Sequence, residues 1–484
     1  MAASGAARTI VRGMSSIRAG VDEAEATFDL GELFFSTTDR KGFILSANSV
    51  FTRVSGYSKD EWLGAPHKLV RHPDMPRVVF ALLWDRLERG LPVAAYVKNR
   101  TKSGAYYWVM ALAFPIGDEL FSLRLKPSSA LLPVVESLYR DLLAEEQSIE
   151  MSDRRSSAID ASRASLQRAL TALGFADYEA FMARALPAEV ASRFAALGAG
   201  AGRLHLSPRD SVLCGSHGAC QGGLTSLVRM SFGLEGLETL AASYREAAIG
   251  LAELADEVSM FAVNAGLTAA RTGRRSQVLG EIARLMREAA HDITVEVDRL
   301  VGLLDAGTRH IRSLSFDVGR SSLALEVVGQ FLSELDDGRL AGELDEAQAR
   351  RDAVALLGST VELIESAVAR LVALPSTLGA LYASLRRLLR HLRSLRILRI
   401  RAEVDSAGDD AAEEFSDIVA RVEADLVRGL ERLEALVAET VIAQRLDAVA
   451  QARELTSHAR ALGSGRDMLA AGLVNQMSPS ATMA

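Results

Sequence analysis

Cysteine is nearly absent from this chain, with only Cys214 and Cys220 among 484 residues. So sparse a pair excludes a disulfide framework and fits a reducing, cytoplasmic setting. Lysine is scarce as well: all six lysines lie between Lys41 and Lys126, while arginine runs along the whole chain. Of 11 prolines, only Pro375 and Pro479 follow Pro208. Aromatic residues make up 6% of the chain, yet fifteen of them fall between Phe28 and Phe121, including all three tryptophans. No stretch of 18 largely apolar residues stands out, so no membrane span is expected. There is no basic block and the net charge is −7, which argues against a general nucleic-acid binder. Also missing are a glycine-rich nucleotide loop, a nucleophile elbow and a phosphoacceptor histidine with an ATP-lid pattern, so the chain does not read as an enzyme.

What remains is two compositions joined end to end. Residues 1–27 read as a flexible N-terminal tail, since the first 20 hold three arginines but no apolar signal core. Residues 28–128 form the aromatic domain, and 129–221 a helical connector ending in a Gly-rich loop. Residues 222–474 form a helical region poor in breakers, and 475–484 a disordered tail.

Within the aromatic domain, Leu33–Thr38 and Phe43–Ala47 read as strands around a turn at Asp39-Arg40-Lys41-Gly42. Short helices follow over 48–56 and 59–64, then a longer amphipathic one over Met75–Arg89. Val93–Arg100, Tyr106–Phe114 and Leu120–Leu125 read as three more strands. The expected fold is α+β, an antiparallel five-stranded sheet wrapped by helices around one cavity, followed by all-α long antiparallel helical hairpins in a four-helix bundle.

The run Ser36–Asp39, Ala47-Asn48, Val54–Tyr57, Pro66-His67, Val70–Pro76, Trp84, Val97–Arg100 and Tyr107-Trp108 resembles a PAS domain. More narrowly, it is similar to the flavin-binding PAS domain of bacterial aerotaxis receptors. That resemblance implies a noncovalently bound FAD whose redox state reports oxygen or electron-transport status. The matching flavin-associated positions are Arg71, His72, Asp74, Trp84 and Asn99, with His67 beside them. The residue types suit the task. Trp84 offers a flat wall, Asn99 on an inward strand face can donate and accept, and Arg71 can grip phosphate. The sequence departs from the family at Val93, where a tryptophan is usual, and at the shortened loop Gly117-Asp118-Glu119. Alternative readings are haem ligated by His67 or His72, and a non-catalytic scaffold whose PAS domain binds protein.

In the connector, Leu131–Glu150 reads as an exit helix with Leu132, Val135, Leu138, Leu142 and Leu143 on one face, suited to homodimerisation. Two further helices are expected over 158–173 and 177–197. Cys214, His217 and Cys220, with His205 as a fourth candidate, lack the paired spacing of a zinc site, so no metal is expected.

From Leu224 to Met468 the pattern is helical, with breaks near 272–276, 336–338 and 406–410. They give four segments, read as hairpins 222–336 and 342–470 of an up-down-up-down bundle, with a kink at Pro375. Leu254–Gly273 resembles the cytoplasmic hairpin tip of methyl-accepting chemotaxis receptors. Asn264 and Arg271 occupy partner-binding positions for a chemotaxis kinase and its coupling protein, although Thr268 and Arg274 depart from the pattern. Residues 398–422 look like a second, weaker copy, so one chain could build a pseudo-dimeric bundle. Arg386, Arg387, Arg390, Arg393, Arg396 and Arg399 form a stripe, read as a solvated face paired with acids.

Overall fold

The computed structural model describes residues 24–150, 155–198, 211–271, 276–336, 346–406 and 448–477, with scattered positions between 427 and 438. They form two compact units. One comprises residues 1–213, 326–356 and 469–484; the other comprises 214–325 and 357–468.

The first unit holds the sheet. Its strands are β1 (Leu33–Asp39), β2 (Ile44–Ala47), β3 (Val93–Arg100), β4 (Tyr106–Ile116) and β5 (Glu119–Leu125), all antiparallel in the order β2-β1-β5-β4-β3. The β1–β2 turn is built by the Asp39 carboxylate, which accepts from the Lys41 and Phe43 amides at 2.9 Å each. Gly42 closes it at φ +84°, a left-handed conformation that side chains disfavour. Helix α1 (Ser49–Ser55) is capped by Asn48, whose side chain also bonds the Phe35 amide and the Leu33 carbonyl on β1. A capping box of Ser58 and Glu61 starts α2 (Lys59–Trp62). A 3-10 turn (His67–Val70) and helix α3 (Arg77–Glu88) then lead into β3.

Strand side chains alternate between faces. Ser36, Val97, Asn99, Ala111, Ser122 and Arg124 share the inner face, whereas Phe35, Tyr96 and Trp108 share the outer one. Three connector helices follow: α4 (Leu131–Glu150), α5 (Arg155–Ala172) and α6 (Tyr178–Leu197). They cover the outer face and the free edge of β3, where unpaired backbone groups would otherwise invite foreign strands. The Tyr139 and Tyr178 hydroxyls donate to the Tyr96 and Ala94 carbonyls at 3.2 and 3.0 Å. The Ala94 and Lys98 amides donate to the sulfurs of Met182 and Met75, both at 3.1 Å. The exit-helix face that suggested dimerisation is thus used within the chain, with Val135, Tyr139 and Leu142 buried.

Four helices continue the chain: α7 (Ser211–Arg271), α8 (Ser276–Asp336), α9 (Glu346–Ser406) and α10 (Ala448–Met477). Each of the first three has 61 residues, about 92 Å at 1.5 Å per residue. In the second unit, Tyr244, Leu251 and Val258 of α7, Ile293 and Leu300 of α8, and Leu385, Leu388 and Leu392 of α9 share one core. Both proposed hairpins therefore contribute to it. The break in the second hairpin and the second tip copy lie outside the described residues from 407 onward, as do the acids at 409–417. Arg387 and Arg393 of the stripe pair instead with Glu296 and Glu434.

Three sequence expectations need correction. The Gly-rich loop expected over 198–223 is helical from Ser211 onward. Gly222 and Gly223 serve close packing there: a Cβ on Gly222 would sit 2.3 Å from the His458 ring, and one on Gly223 would sit 3.0 Å from Leu325. The end of α8 and the start of α9 belong to the first unit, so the unit boundary falls inside helices rather than at loops. Finally, one helix, over Arg350–Leu398, is long and apolar enough to cross a membrane. A third of its apolar window is buried, its leucines at 385, 388 and 392 lie in the shared core, and its Arg387 is ion-paired.

Candidate functional site

A cavity of about 400 Å³ lies between the inner face of the sheet and α3. The sheet supplies its floor through Val97, Asn99, Ala111, Ala113, Ser122 and Arg124. Helix α3 supplies a wall of Phe80, Leu83, Trp84 and Leu87, and the β1–β2 turn and the 3-10 turn supply the rim. The turn and the wall are fitted to each other: a Cβ on Gly42 would sit 3.1 Å from the Trp84 ring. His67 is placed by the same turn, its amide donating to the Gly42 carbonyl at 2.8 Å.

The charges lining the cavity are all of one sign. Lys41, Lys68, Arg71 and Arg124 face it, and among the described residues no aspartate or glutamate does. Arg71 lies 3.9 Å over the Phe80 ring and donates to the Met75 carbonyl at 3.0 Å. Arg124 is only 4% exposed. Its guanidinium donates to the Ser36 hydroxyl at 3.0 Å and to His67 Nε2 at 2.6 Å, and no carboxylate reaches it among the described residues. Burial lowers its pKa to about 10. Burial, reinforced by the Arg124 charge, holds His67 down at about 3, so its imidazole is neutral and Nε2 accepts. Asn99, 3% exposed, directs its carboxamide at the cavity, where no described residue bonds it.

Of the residues singled out from sequence, the cavity gathers Arg71, Trp84, Asn99 and His67. His72 and Asp74 lie outside it. The buried His72 ring accepts from the Asp74 amide at 3.1 Å and meets Tyr106, while Asp74 pairs with Lys98 at 2.8 Å. The Arg71–Met75 run thus clamps the backbone of β3 beside Asn99, and Arg71 and Asn99 form an isolated bridge. Val93 is buried at the start of β3, away from the cavity. Asn264 is exposed near the end of α7; the Arg271 side chain lies outside the described residues.

Sequence reasoning missed Ser36, Lys41, Lys68, Ser122 and Arg124. The available signal was Arg124 between Leu123 and Leu125, a charge in an apolar strand. Only the sheet order shows that this strand is central and the charge buried.

A second hollow of similar volume, beside Arg53, Val54 and Lys102, is more open and has neither an aromatic wall nor a buried cation. Among the described residues, no group of three or more His, Cys, Asp or Glu side chains is placed to hold a metal ion. Burial pushes the Cys220 thiol up to about 12, leaving it unreactive.

Sheet, helices and cavity together define a PAS domain, and residues 44–120 match the family described as PAS fold. The chain is 44% identical over 114 residues to the aerotaxis receptor of Escherichia coli (strain K12), a match covering 22% of each protein. The chain thus spans about a fifth of that relative's length. Among solved structures, it is similar to a domain of a sensory box sensor histidine kinase/response regulator from Geobacter sulfurreducens. That match has 19% identity, covers 19% of this chain and 82% of the other, and has a TM-score of 0.17. A Rhodobacter sphaeroides LOV protein matches at 16% identity over 30% of this chain and 90% of its own, with a TM-score of 0.20.

Proposed function

We propose that the chain is a non-catalytic signal-transduction sensor whose PAS domain binds a flavin, FAD by its likeness to the aerotaxis receptor, and reports redox or oxygen state to the helical region. One observation carries the reading: an aromatic-walled cavity that presents an unpartnered carboxamide and only cationic charges. This donor set suits a flavin. The ring system needs a flat apolar slot, which Trp84, Leu83 and the alanines of β4 provide. Its polar edge needs a group that both donates and accepts, which Asn99 is. Phosphates need cations near solvent, and the exposed Lys41 and Lys68 lie at the rim beside Arg71. A bound flavin would supply reversible electron transfer coupled to protonation of its ring. The residues of the chain orient the ring and read its polar edge through Asn99.

Strand β3 is the natural relay, because both of its sides are engaged. Asn99 and Val97 face the cavity, while Tyr96 donates to Glu189 of α6 at 2.5 Å. Glu189 also accepts from the Ser128 and Ser129 amides at 2.6 and 2.9 Å, joining β3, the start of α4 and α6. Burial, then the Glu189 charge, keeps the Tyr96 phenol protonated and therefore a donor. Arg193 of α6 in turn forms a bidentate pair with Glu326 of α8 at 2.6 and 2.7 Å. On this reading, the α7–α8 hairpin engages signalling proteins of the chemotaxis kinase and coupling-protein type around Asn264 and Arg271, and the setting is cytoplasmic.

Haem is the second reading. It is disfavoured because the Arg124 guanidinium occupies His67 Nε2 and His72 lies off the cavity. The deciding experiment is a visible spectrum of gently purified protein through an aerobic-to-anaerobic titration, on wild type and Trp84→Ala. Oxidised-flavin bands that bleach without oxygen and disappear in Trp84→Ala are expected. A colourless wild type, or a Soret band, would sink the reading.

A further inference from the structure

We propose that Arg124 is the anion anchor of the cavity, pairing through its guanidinium with negatively charged oxygen of the bound flavin. The idea rests on the flavin reading above and adds a residue that the aerotaxis-receptor likeness did not single out.

A buried guanidinium is costly unless an opposite charge compensates it. Arg124 is 4% exposed, at the centre of the sheet, and its bonds are to two neutral acceptors, Ser36 and His67. A purely architectural arginine at such a depth would be matched by a carboxylate, as Arg193 is by Glu326 in the same unit. Instead, Arg124 faces the cavity, and among the described residues no acid lines that space. The missing charge therefore has to arrive with the ligand. His67 fits this arrangement: a neutral ring accepting from one arm of the fork fixes its orientation without neutralising it. The guanidinium is planar and carries five donors, so the remaining N–H groups can bind a delocalised oxyanion. Two parts of a flavin offer that chemistry: the phosphates, and the pyrimidine edge of the ring when it carries negative charge.

The test uses the full chain, stripped of ligand, as wild type, Arg124→Met and Arg124→Lys. All three tryptophans lie in the PAS domain, so tryptophan fluorescence reports its melting without contribution from the helices. Arg124→Met removes an uncompensated charge and two bonds to neutral groups, so its ligand-free Tm should rise by about 2–4 °C. Its affinity for flavin should fall at least fivefold, with Arg124→Lys in between, because the ammonium keeps the charge but loses the fork. Riboflavin, FMN and FAD separate the two sources. With the flavins reduced, so that the ring carries negative charge, an equal loss for all three places the anion on the ring edge; a loss confined to FMN and FAD, whether oxidised or reduced, places it on phosphate. The proposal is overturned if affinity falls less than fivefold, or if every variant that loses affinity also melts below wild type, the mark of a structural arginine. Should wild type bind none of the three flavins, the flavin reading fails, and inorganic pyrophosphate decides the anchor. A rise in wild-type Tm that Arg124→Met abolishes supports it; no rise sinks it.

Discussion

The two faces of the PAS sheet treat buried polar groups in opposite ways. Around the outer face the buried charges are matched, while the buried Ser162 hydroxyl of α5 finds no partner among the described residues. Glu189 collects Tyr96, two backbone amides and the Ser129 hydroxyl. Glu146 of α4 accepts from the Arg77 and Val78 amides at 2.7 and 3.0 Å, capping the start of α3. Arg193 meets Glu326 and also donates to the Leu30 and Gly31 carbonyls at 2.7 and 3.0 Å. On the inner face, among the described residues, no side chain or backbone group bonds the Asn99 carboxamide and no carboxylate meets Arg124. Burial without satisfaction destabilises a fold unless something else supplies the missing bonds. The charges over the outer face are therefore met by protein, and on the reading proposed above a ligand meets those of the inner face.

The largest expected effect tests the outer face. Arg193→Ala strands the Glu326 carboxylate and should cost about 3–5 kcal/mol, as single removals from buried pairs do. Replacing both partners, Arg193→Met with Glu326→Leu, should recover most of that loss. Urea unfolding followed by tryptophan fluorescence measures both; equal losses in the single and double variants would deny that the pair is matched. Glu189→Ala comes next. It leaves four donors without an acceptor and should cost about 2–3 kcal/mol, with Glu189→Gln costing less because one carbonyl oxygen remains. A loss under 1 kcal/mol in Glu189→Ala would mean that water replaces the carboxylate, weakening the case for β3 as a relay.

The contrast also explains what could be read from sequence. The five strands were legible because their alternation and Gly turns are local, and Trp84 and Asn99 because the resemblance to a known family carries them. The outer-face network was not legible, since it joins Tyr96 to Glu189 and Arg193 to Glu326, residues 93 and 133 positions apart. A glutamate on an amphipathic helix has the same local pattern whether it faces solvent or a tyrosine. Gly222 misled for a related reason: a glycine that admits His458 in a helix carries the same letter as one that ends a helix. His72 and Asp74 travel with the motif, but their chemistry is spent on Tyr106 and Lys98, outside the cavity.

A smaller effect concerns acid. His67 stays neutral in the folded domain down to about pH 3, whereas its ordinary value is 6.5. Below pH 6.5 the unfolded chain takes up a proton that the folded domain refuses. Stability from this group is therefore full above about pH 6.5 and declines as pH falls toward 3, with a slope of at most about 1.4 kcal/mol per pH unit. One edge of the ring faces the cavity, which makes that slope an upper bound. His67→Gln keeps an acceptor for Arg124 and cannot titrate. Its unfolding free energy should lose less than that of wild type between pH 6.5 and 4, and parallel curves would show that the ring is protonated without penalty.

The smallest effect on stability is expected where the effect on ligand is clear. Asn99→Ala removes a carboxamide that bonds no described residue, and the side-chain volume lost borders a cavity already present. Its ligand-free unfolding free energy should lie within about 0.5 kcal/mol of wild type. Flavin affinity should nonetheless fall about tenfold, the equivalent of one hydrogen bond of about 1.4 kcal/mol. An outer-face substitution should do the reverse, lowering stability without touching the ligand directly. If Asn99→Ala instead unfolds the domain while the remaining folded protein binds flavin normally, the carboxamide is part of the protein's own bonding, and the distinction between the two faces disappears.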